Sequence, residues 1–298
     1  MFTYSIFKSI INKKWGVNIL PKKLSTIKPY LKWAGGKRQL IPELKEHVPK
    51  KFETYYEPFV GAGALFFYLQ PKNAIINDFN EQLICTYKVI RDNPEELINL
   101  LKIHQSQNSK EYFEEIRALD KGVDFFKSQT DVQKAARLIF LNKTCYNGLY
   151  RVNAQGLFNV PYGRYNSPNI CEDNLIRNIS KYLRTNNIKI LQGDYSQAIL
   201  DVDNNSFVYF DPPYHSPNNT NFTGYQAGGF NEQEQIRLKQ TFDALTKKGV
   251  PCLLSNSNTE FIRDLYKDYS IKIVEANRSI NSNAYKRGKI TEVIVKNY

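Results

Sequence analysis

Short apolar runs, glycine turns and helical stretches follow one another in two separate parts of the chain. In the first part, an apolar strand over residues 55–60 leads through Gly61-Ala62-Gly63 into a helix over 64–69 and a strand over 74–78. The second part predicts strands at 188–191, 207–210, 252–254 and 271–274, with helices at 231–247 and 259–267. This alternation predicts an α/β fold with a Rossmann-like sheet.

The sequence changes character between residues 85 and 185. Long polar helices are predicted there, over 95–105, 110–119 and 132–142. A loop punctuated by glycines follows over residues 146–165. The open sheet is therefore expected to be interrupted by a mainly helical insertion.

These patterns divide the chain into three parts. Residues 28–84 and 186–298 are expected to form one domain, and residues 85–185 the inserted one. Residues 1–27 are lysine-rich and predict a basic N-terminal extension. The partly alternating segment 289–295, which follows Gly288, predicts a late antiparallel strand of the sheet.

The composition of the chain indicates which binding partners and which kinds of chemistry are expected. The net charge of +12 comes with 20 Tyr and 18 Phe, and basic and aromatic residues together favour nucleic acid. The cysteines have no CxxC spacing and no histidine at ligand spacing, so we expect reduced thiols, no metal centre and no covalent cysteine catalysis. Since no apolar stretch of about 18 residues occurs, a soluble cytoplasmic protein is expected.

The tetrapeptide Asp211-Pro212-Pro213-Tyr214 directly follows the apolar run 207–210, at the end of a buried strand. Asp211 can accept a hydrogen bond from an exocyclic amino group, and the prolines expose carbonyls without competing donors. Tyr214 offers a ring on which a base can stack. A plain strand-terminating turn is the alternative. With supporting residues elsewhere, the tetrapeptide predicts chemistry on a planar amine.

Two segments suggest a nucleotide-like cofactor. In Phe59-Val60-Gly61-Ala62-Gly63, the glycines mark a strand-to-helix turn that lets a nucleotide approach the backbone. Asp78 ends the next strand, where an acidic residue often holds ribose hydroxyls.

Two further segments complete this prediction. In Lys32-Trp33-Ala34-Gly35-Gly36-Lys37, Trp33 can cover one face of a cofactor while Lys37 meets its carboxylate, although a packed tryptophan on a lysine-flanked loop is the alternative. Asp194, beside Tyr195, suits an adenine amino group. S-adenosylmethionine carries an adenine, a ribose, a carboxylate and a sulfonium, so it is the predicted cofactor.

The order of these segments, from residues 32–37 through 59–63 to 211–214, resembles that of the Dam-like, D12-class N6-adenine DNA methyltransferases. The resemblance covers roughly residues 28–298 and is to the family's alpha arrangement, in which a target-recognition domain precedes the catalytic tetrapeptide. It implies catalytic roles for Asp211, Pro212 and Tyr214. It also implies that the cofactor site comprises Trp33, Lys37, Phe59, Gly61, Gly63, Asp78, Asp194, Tyr195 and Asp211.

Segments 145–151 and 158–165 resemble the recognition loop of members that methylate adenine in GATC. By that similarity Arg151 reads a guanine edge, for which its guanidinium is suited, while Arg164 contacts phosphate. Lys32 likewise reaches an outer guanine. The DNA-contacting set is Lys32, Tyr146, Asn147, Leu149, Arg151, Pro161 and Tyr165, with Tyr146 or Asn147 supporting the gap left by base flipping and Leu149 and Pro161 touching a thymine methyl or its neighbour.

The resemblance implies a site-specific DNA methyltransferase that transfers a methyl group from S-adenosylmethionine to N6 of adenine in double-stranded GATC. Base flipping and direct in-line transfer, without covalent intermediate or metal, are expected. Methylation of cytosine N4 or RNA adenine stays open, as does a DNA-binding protein that has lost transfer. The other expectations are a restriction-modification system with a paired endonuclease, a nucleoid-associated location, no membrane partner, and a monomer or weak dimer.

Overall fold

A seven-stranded sheet lies at the centre of the computed structural model, which describes residues 27–33, 35–122, 124–216, 229–277 and 289–298. Its strands are β1 (Thr54–Glu57), β2 (Asn73–Asp78), β3 (Asn187–Gln192), β4 (Ser206–Phe210), β5 (Cys252–Ser257), β6 (Ser270–Asn277) and β7 (Lys289–Lys296). The order across the sheet is β3-β2-β1-β4-β5-β7-β6.

Strands β3, β2, β1, β4 and β5 run parallel, whereas β7 is antiparallel to both of its neighbours, β5 and β6. The predicted α/β class and the late antiparallel strand are thereby confirmed. Chain order reverses between β1 and β4, and open α/β sheets bind ligands beyond the carboxyl ends of the strands at such a switch point. A ligand site is therefore expected beyond the carboxyl ends of β1 and β4.

The predicted strand over residues 55–60 is wrong at its end, because β1 stops at Glu57. Pro58 follows and has no backbone N–H to continue a ladder in the middle of a sheet. The chain turns there instead, and the turn carries Gly61 and Gly63 into the next helix.

Ten α-helices occur in the described part of the chain. They are α1 (Ile41–Leu44), α2 (Ala64–Leu69), α3 (Glu81–Asp92), α4 (Pro94–Gln107), α5 (Lys110–Ala118), α6 (Phe125–Ser128), α7 (Asp131–Thr144), α8 (Asp173–Thr185), α9 (Glu232–Lys247) and α10 (Glu260–Leu265). Short 3₁₀ turns cover Lys37–Gln39, Lys45–His47, Leu119–Lys121, Tyr146–Gly148 and Tyr195–Ile199.

Both faces of the sheet are buried. Tyr55 and Tyr56 are neighbours on β1, and since successive strand residues point to opposite faces, they enter two different hydrophobic clusters. Phe207 and Phe210 on β4 divide between the same two clusters. Continuous apolar runs such as 207–210 are typical of strands covered on both faces.

Helices α3 to α8 fill the chain between β2 and β3. Helix α7 packs against α3 and α4 at the centre of this group, while α3 and α8 also contact β3. A capping box of Thr130 and Gln133 starts α7. The predicted domain boundary between residues 84 and 85 falls inside α3, which packs on both the sheet and the inserted helices. The domain division itself stays a prediction.

The predicted basic extension, residues 1–27, lies outside the described residues apart from Ile27. None of the helices in the described ranges is long and apolar enough to cross a membrane.

Candidate active site and DNA-recognition surface

Asp211 stands directly after β4, at the switch point of the sheet, and its carboxylate has two partners. Lys37 Nζ lies 2.8 Å from Asp211 Oδ1, and Ser255 Oγ donates to the same oxygen at 2.9 Å. Burial raises the pKa of Asp211, and the charge and hydrogen bonds of Lys37 and Ser255 act to lower it. These contacts fix the carboxylate and favour its ionised form.

Lys37 contacts three groups of the protein itself. Its side chain is only 5% exposed, and Nζ donates to the Gly35 carbonyl besides pairing with Asp211. Nζ also lies 4.4 Å from the centre of the Tyr214 ring, a cation–π distance. The lysine predicted to meet a cofactor carboxylate therefore joins Asp211 to Tyr214.

A second layer of hydrogen bonds supports these residues. Tyr209 and Ser255 are hydrogen-bonded at 2.8 Å, and because Ser255 donates to Asp211, Tyr209 is the donor in this pair. The Tyr214 hydroxyl donates to Glu292 Oε2 at 2.6 Å. Tyr209, Ser255 and Glu292 come from β4, β5 and β7, so three neighbouring strands hold the catalytic tetrapeptide.

The backbone of the tetrapeptide region is also held by hydrogen bonds from α9 and β5. Gln235 is fully buried on α9 and donates to the Pro213 carbonyl at 2.9 Å. Asn256 accepts from the backbone N–H of His215 at 3.1 Å and donates to Gln235 at 3.0 Å. Pro212 is buried. The chain around residues 211–215 is thus tied to both β5 and α9.

Glu57, at the end of β1, is a buried carboxyl group close to Asp211. It is 2% exposed and accepts a hydrogen bond from the Tyr55 hydroxyl at 2.7 Å. Burial raises its pKa well above the usual range, and the charge of Asp211 acts in the same direction. Because Asp211 pairs with a lysine whereas Glu57 accepts from a tyrosine hydroxyl, the arrangement favours an ionised Asp211 and a protonated Glu57.

The glycine turn after β1 packs against Trp33. Gly61 and Gly63 have φ angles of 50° and 71°, a region that favours glycine. A Cβ on Gly61 would lie 3.1 Å from the Trp33 ring, and one on Gly63 would lie 2.7 Å from the Tyr87 hydroxyl. Trp33 is buried and stacks on Tyr150, with ring centres 5.0 Å apart. The indole therefore joins the turn to the helical insertion.

Asp78 holds the same turn from the end of β2. Its Oδ2 accepts from the backbone N–H of Gly61 and its Oδ1 from that of Asn80, both at 2.9 Å. Burial raises the pKa of Asp78 to about 6.

Asp194 is engaged with a residue that the sequence did not single out. Arg237 on α9 contacts both Asp194 oxygens, at 2.7 and 2.6 Å, and stacks over the Tyr195 ring at 4.5 Å. Burial acts to raise the pKa of Asp194, but hydrogen bonds from Ser196 and Arg237 outweigh it and lower that pKa. Tyr195 also packs on Phe59, with ring centres 5.1 Å apart.

A pocket connects several of these groups. Its lining includes Trp33, Lys37, Gly61, Gly63 and Asp211, but not Asp78, Asp194 or Tyr195. An aromatic ring, a carboxylate and bare glycine backbone are groups suited to the parts of S-adenosylmethionine, so these lining residues fit this cofactor. Trp33 and the glycine turn would hold it, and Asp211 would face the reacting end.

The residues predicted to contact DNA lie on a different surface, built around the loop of residues 146–165, which we call the recognition loop. Its two ends are joined, since Tyr146 N–H donates to the Pro161 carbonyl at 2.8 Å and Cys145 bridges to Tyr162. Tyr146 is 47% exposed, and Asn147 has a φ of 57°.

Arg151 is exposed in the first half of this loop. Its Nε donates to Asn159 Oδ1 at 2.7 Å, so the guanidinium is oriented while one edge stays accessible to solvent. Pro161 is exposed, and Leu149 and Tyr165 are partly buried. The structure therefore brings the predicted DNA contacts together on one loop.

Lys32 reaches the recognition loop from the segment that carries Trp33. Its Nζ lies 5.7 Å from the centre of the Tyr165 ring, and the side chain is exposed. The surface predicted to contact DNA and the pocket thus meet at two consecutive residues, Lys32 and Trp33.

Sequence reasoning missed several of these partners. Glu57, Ser255, Glu292 and Arg237 stand in no recognised motif, and only the strand order brings the first three to Asp211 and Tyr214. A signal was present for Glu57, which precedes the glycine turn in an otherwise apolar strand.

Comparisons with known proteins identify the family of this chain. The family profile for D12 class N6 adenine-specific DNA methyltransferases matches residues 33–280. The type II methyltransferase M1.LlaDCHI of Lactococcus lactis subsp. cremoris is 46% identical over 283 residues, which cover 95% of this chain and 99% of the relative.

Two further relatives extend the comparison. The type II methyltransferase M.MjaIII of Methanocaldococcus jannaschii is 44% identical, with 91% of this chain and 99% of the relative covered. The DNA adenine methylase of Escherichia coli K12 is 34% identical, with 89% and 93% covered. The chain therefore belongs to the D12 class of N6 adenine-specific DNA methyltransferases, whose methyl donor is S-adenosyl-L-methionine.

Proposed function

We propose that this protein methylates N6 of adenine within GATC in double-stranded DNA. The observation that carries the proposal is the pairing of two surfaces: a fixed Asp211-Pro212-Pro213-Tyr214 segment beside a pocket, and an exposed Arg151 on an ordered recognition loop. The similarity of that loop to those of GATC-modifying members supports the choice of site.

In the proposed mechanism, the target adenine leaves the duplex and stacks on Tyr214, because its amino group is out of reach inside the helix. Tyr214 is held for this by Glu292 and by Lys37. The Asp211 carboxylate and the Pro212 carbonyl accept the two amino hydrogens and direct the nitrogen lone pair toward the pocket.

When bound, S-adenosyl-L-methionine would supply an electrophilic methyl group on sulfur. The N6–C bond would form as the S–C bond breaks to leave a neutral thioether, and the Asp211 carboxylate would be placed to take the proton that the amino group loses. Lys37 and Ser255 keep Asp211 ionised and correctly turned, and this preorganisation is worth more in a site from which water is excluded. We assign cofactor contacts to Trp33 and the glycine turn, and ribose contacts to Asp78. We also propose that Asp194 accepts a hydrogen bond from the adenine amino group while it keeps a contact with Arg237.

For the DNA, we propose that Arg151 reads guanine, that Lys32 reaches an outer guanine, and that Tyr146 or Asn147 fills the space left by the flipped base. Leu149, Pro161 and Tyr165 complete the contact surface. We also propose a role in a restriction-modification system with a paired endonuclease, as the names of the two type II relatives suggest.

The test is labelled methyl transfer to matched duplexes that contain GATC, GTTC or neither, followed by nucleoside analysis. We expect N6-methyladenine in the GATC duplex alone and none with Asp211→Ala, whose melting temperature serves as the folding control. Label on cytosine, in RNA or equally in all duplexes would overturn the substrate. Undiminished transfer by Asp211→Ala would overturn the mechanism.

A further inference from the structure

Asn142, near the end of α7, joins the Lys32 segment to the recognition loop. Its side chain is fully buried, and its Oδ1 accepts from the Lys32 backbone N–H at 3.0 Å. Its Nδ2 donates to the Lys32 carbonyl at 2.7 Å and to the Gly148 carbonyl at 2.9 Å. One amide group thus satisfies both backbone groups of a distant residue and one in the loop.

Gly148 brings the two segments into direct contact. Its φ is 64°, and a Cβ built on it would lie 2.5 Å from Lys32 Cδ. The aliphatic part of the lysine therefore crosses the loop where only a glycine leaves room. Beyond this crossing, Lys32 Nζ lies 5.7 Å from the centre of the Tyr165 ring. The backbone, the stem and the ammonium of Lys32 are each fixed by a different contact.

We propose that Asn142 is a positioning residue for sequence discrimination, which holds the Lys32 ammonium in a constant place relative to the recognition loop. This inference rests on the proposed function, in which Lys32 and the loop contact the same DNA site. Asn142 is buried and has no route to DNA itself, so its effect passes through Lys32. A flexible lysine bound at one point only would find any nearby phosphate, whereas a fixed one can distinguish a guanine edge.

Asn142→Ala and Asn142→Asp are the informative variants. Alanine removes all three hydrogen bonds, while aspartate keeps the side-chain volume and the acceptor for Lys32 N–H but loses the two donor contacts. The aspartate variant therefore gives an answer if the alanine variant does not fold. Thr144→Ala is the matched control, because Thr144 is equally buried on the same helix and its hydroxyl bonds only to the Phe140 carbonyl of that helix.

The measurement is kcat/KM for methylation of a GATC duplex and of duplexes in which the outer G·C pair is replaced. We expect both Asn142 variants to lose about tenfold or more of the discrimination at that pair, the size of effect given by one good base contact. Discrimination at the pair read by Arg151, and the affinity for S-adenosylhomocysteine, stay near the wild-type values. Thr144→Ala keeps discrimination at both pairs.

A double-mutant cycle with Lys32→Ala separates positioning from general damage. If Asn142 acts through Lys32, then adding Asn142→Ala to Lys32→Ala causes no further loss of discrimination. Independent, additive losses would overturn the inference, as would an equal fall in rate on every duplex. A wild-type protein without preference for GATC would overturn the proposed function as well, whereas retained discrimination in the Asn142 variants would overturn this inference alone.

Discussion

Lys37 Nζ lies 2.8 Å from Asp211 Oδ1, so the last residue of the segment 32–37 and the first residue of the tetrapeptide 211–214 form one ion pair. The lysine side chain is 5% exposed and the aspartate side chain 19%. Such a pair is weak support for stability, because desolvation offsets much of the attraction. Its value lies in keeping Asp211 able to accept hydrogen bonds, and this has a measurable consequence.

Lys37→Met is expected to lower the rate of methyl transfer about 100-fold or more, as the loss of a preorganised charge in an active site does. Burial raises the pKa of Asp211 and Lys37 lowers it, so without Lys37 that pKa rises further. Since the ionised carboxylate is the form that accepts an amino hydrogen, the acid limb of the kcat profile moves to higher pH. Single-turnover rates from pH 5 to 9 measure this, with exposed Lys50→Met as control. An unmoved acid limb would contradict the assignment.

Cofactor affinity is expected to fall as the pH drops through about 6, the value to which burial raises the pKa of Asp78. Above that value the carboxylate accepts a hydrogen bond from the Gly61 amide and, in the proposed cofactor complex, one from a ribose hydroxyl, and on protonation it loses acceptor strength. One linked proton gives up to about a tenfold loss per pH unit below the pKa. Calorimetry with S-adenosylhomocysteine measures it, and Asp78→Asn should bind weakly with no pH dependence near 6.

Glu57→Gln tests the protonation of the second buried carboxyl. Burial raises the pKa of Glu57 above its unfolded value, so its contribution to stability is complete at low pH and is lost as the pH rises through the folded pKa. Glutamine does not titrate. The free energy of unfolding of the variant relative to wild type should therefore increase from pH 5 to pH 8, by about 1.4 kcal/mol per unit of pKa shift. Thermal unfolding at each pH measures this difference. The exposed neighbour Glu53→Gln should show no such trend.

Arg151→Ala and Arg164→Ala form a pair that distinguishes base contact from phosphate contact. We expect Arg151→Ala to relax discrimination at one base pair by about 1–3 kcal/mol and to leave the others intact. Arg164→Ala should weaken binding to all duplexes alike and reduce the salt dependence of binding by about one ion. Equilibrium binding at several salt concentrations, together with kcat/KM on substituted sites, gives both quantities. A uniform loss with Arg151→Ala would make it a phosphate contact.

Local pattern was sufficient for the parts of the fold that depend on neighbouring residues. The run 207–210 identified β4, and the turn at Gly61 and Gly63 identified the β1–α2 connection, because strand hydrophobicity and glycine conformation are properties of a few consecutive positions. The end of β1 was misplaced where hydrophobic pattern outweighed the effect of Pro58.

Contacts between segments that are distant in the sequence could not be obtained in this way. The ion pair of Lys37 with Asp211 and that of Arg237 with Asp194 depend on how a turn and helix α9 pack against the sheet, which no single segment encodes. The predicted ligand of Lys37 was a cofactor carboxylate, since a lysine beside glycines suits any anion. The anion beside it is instead supplied by the chain itself.

The position of strand β7 determines when the sheet can be completed during synthesis. It lies between β5 and β6, and it carries Glu292, to which the Tyr214 hydroxyl donates. Domains fold as units during synthesis from the N-terminus onward. A growing polypeptide that has emerged only as far as β6 lacks the partner of Tyr214 and leaves the edges of β5 and β6 unpaired. The sheet and the hydrogen bond between Tyr214 and Glu292 are therefore complete only after β7 has been synthesised and inserted between β5 and β6.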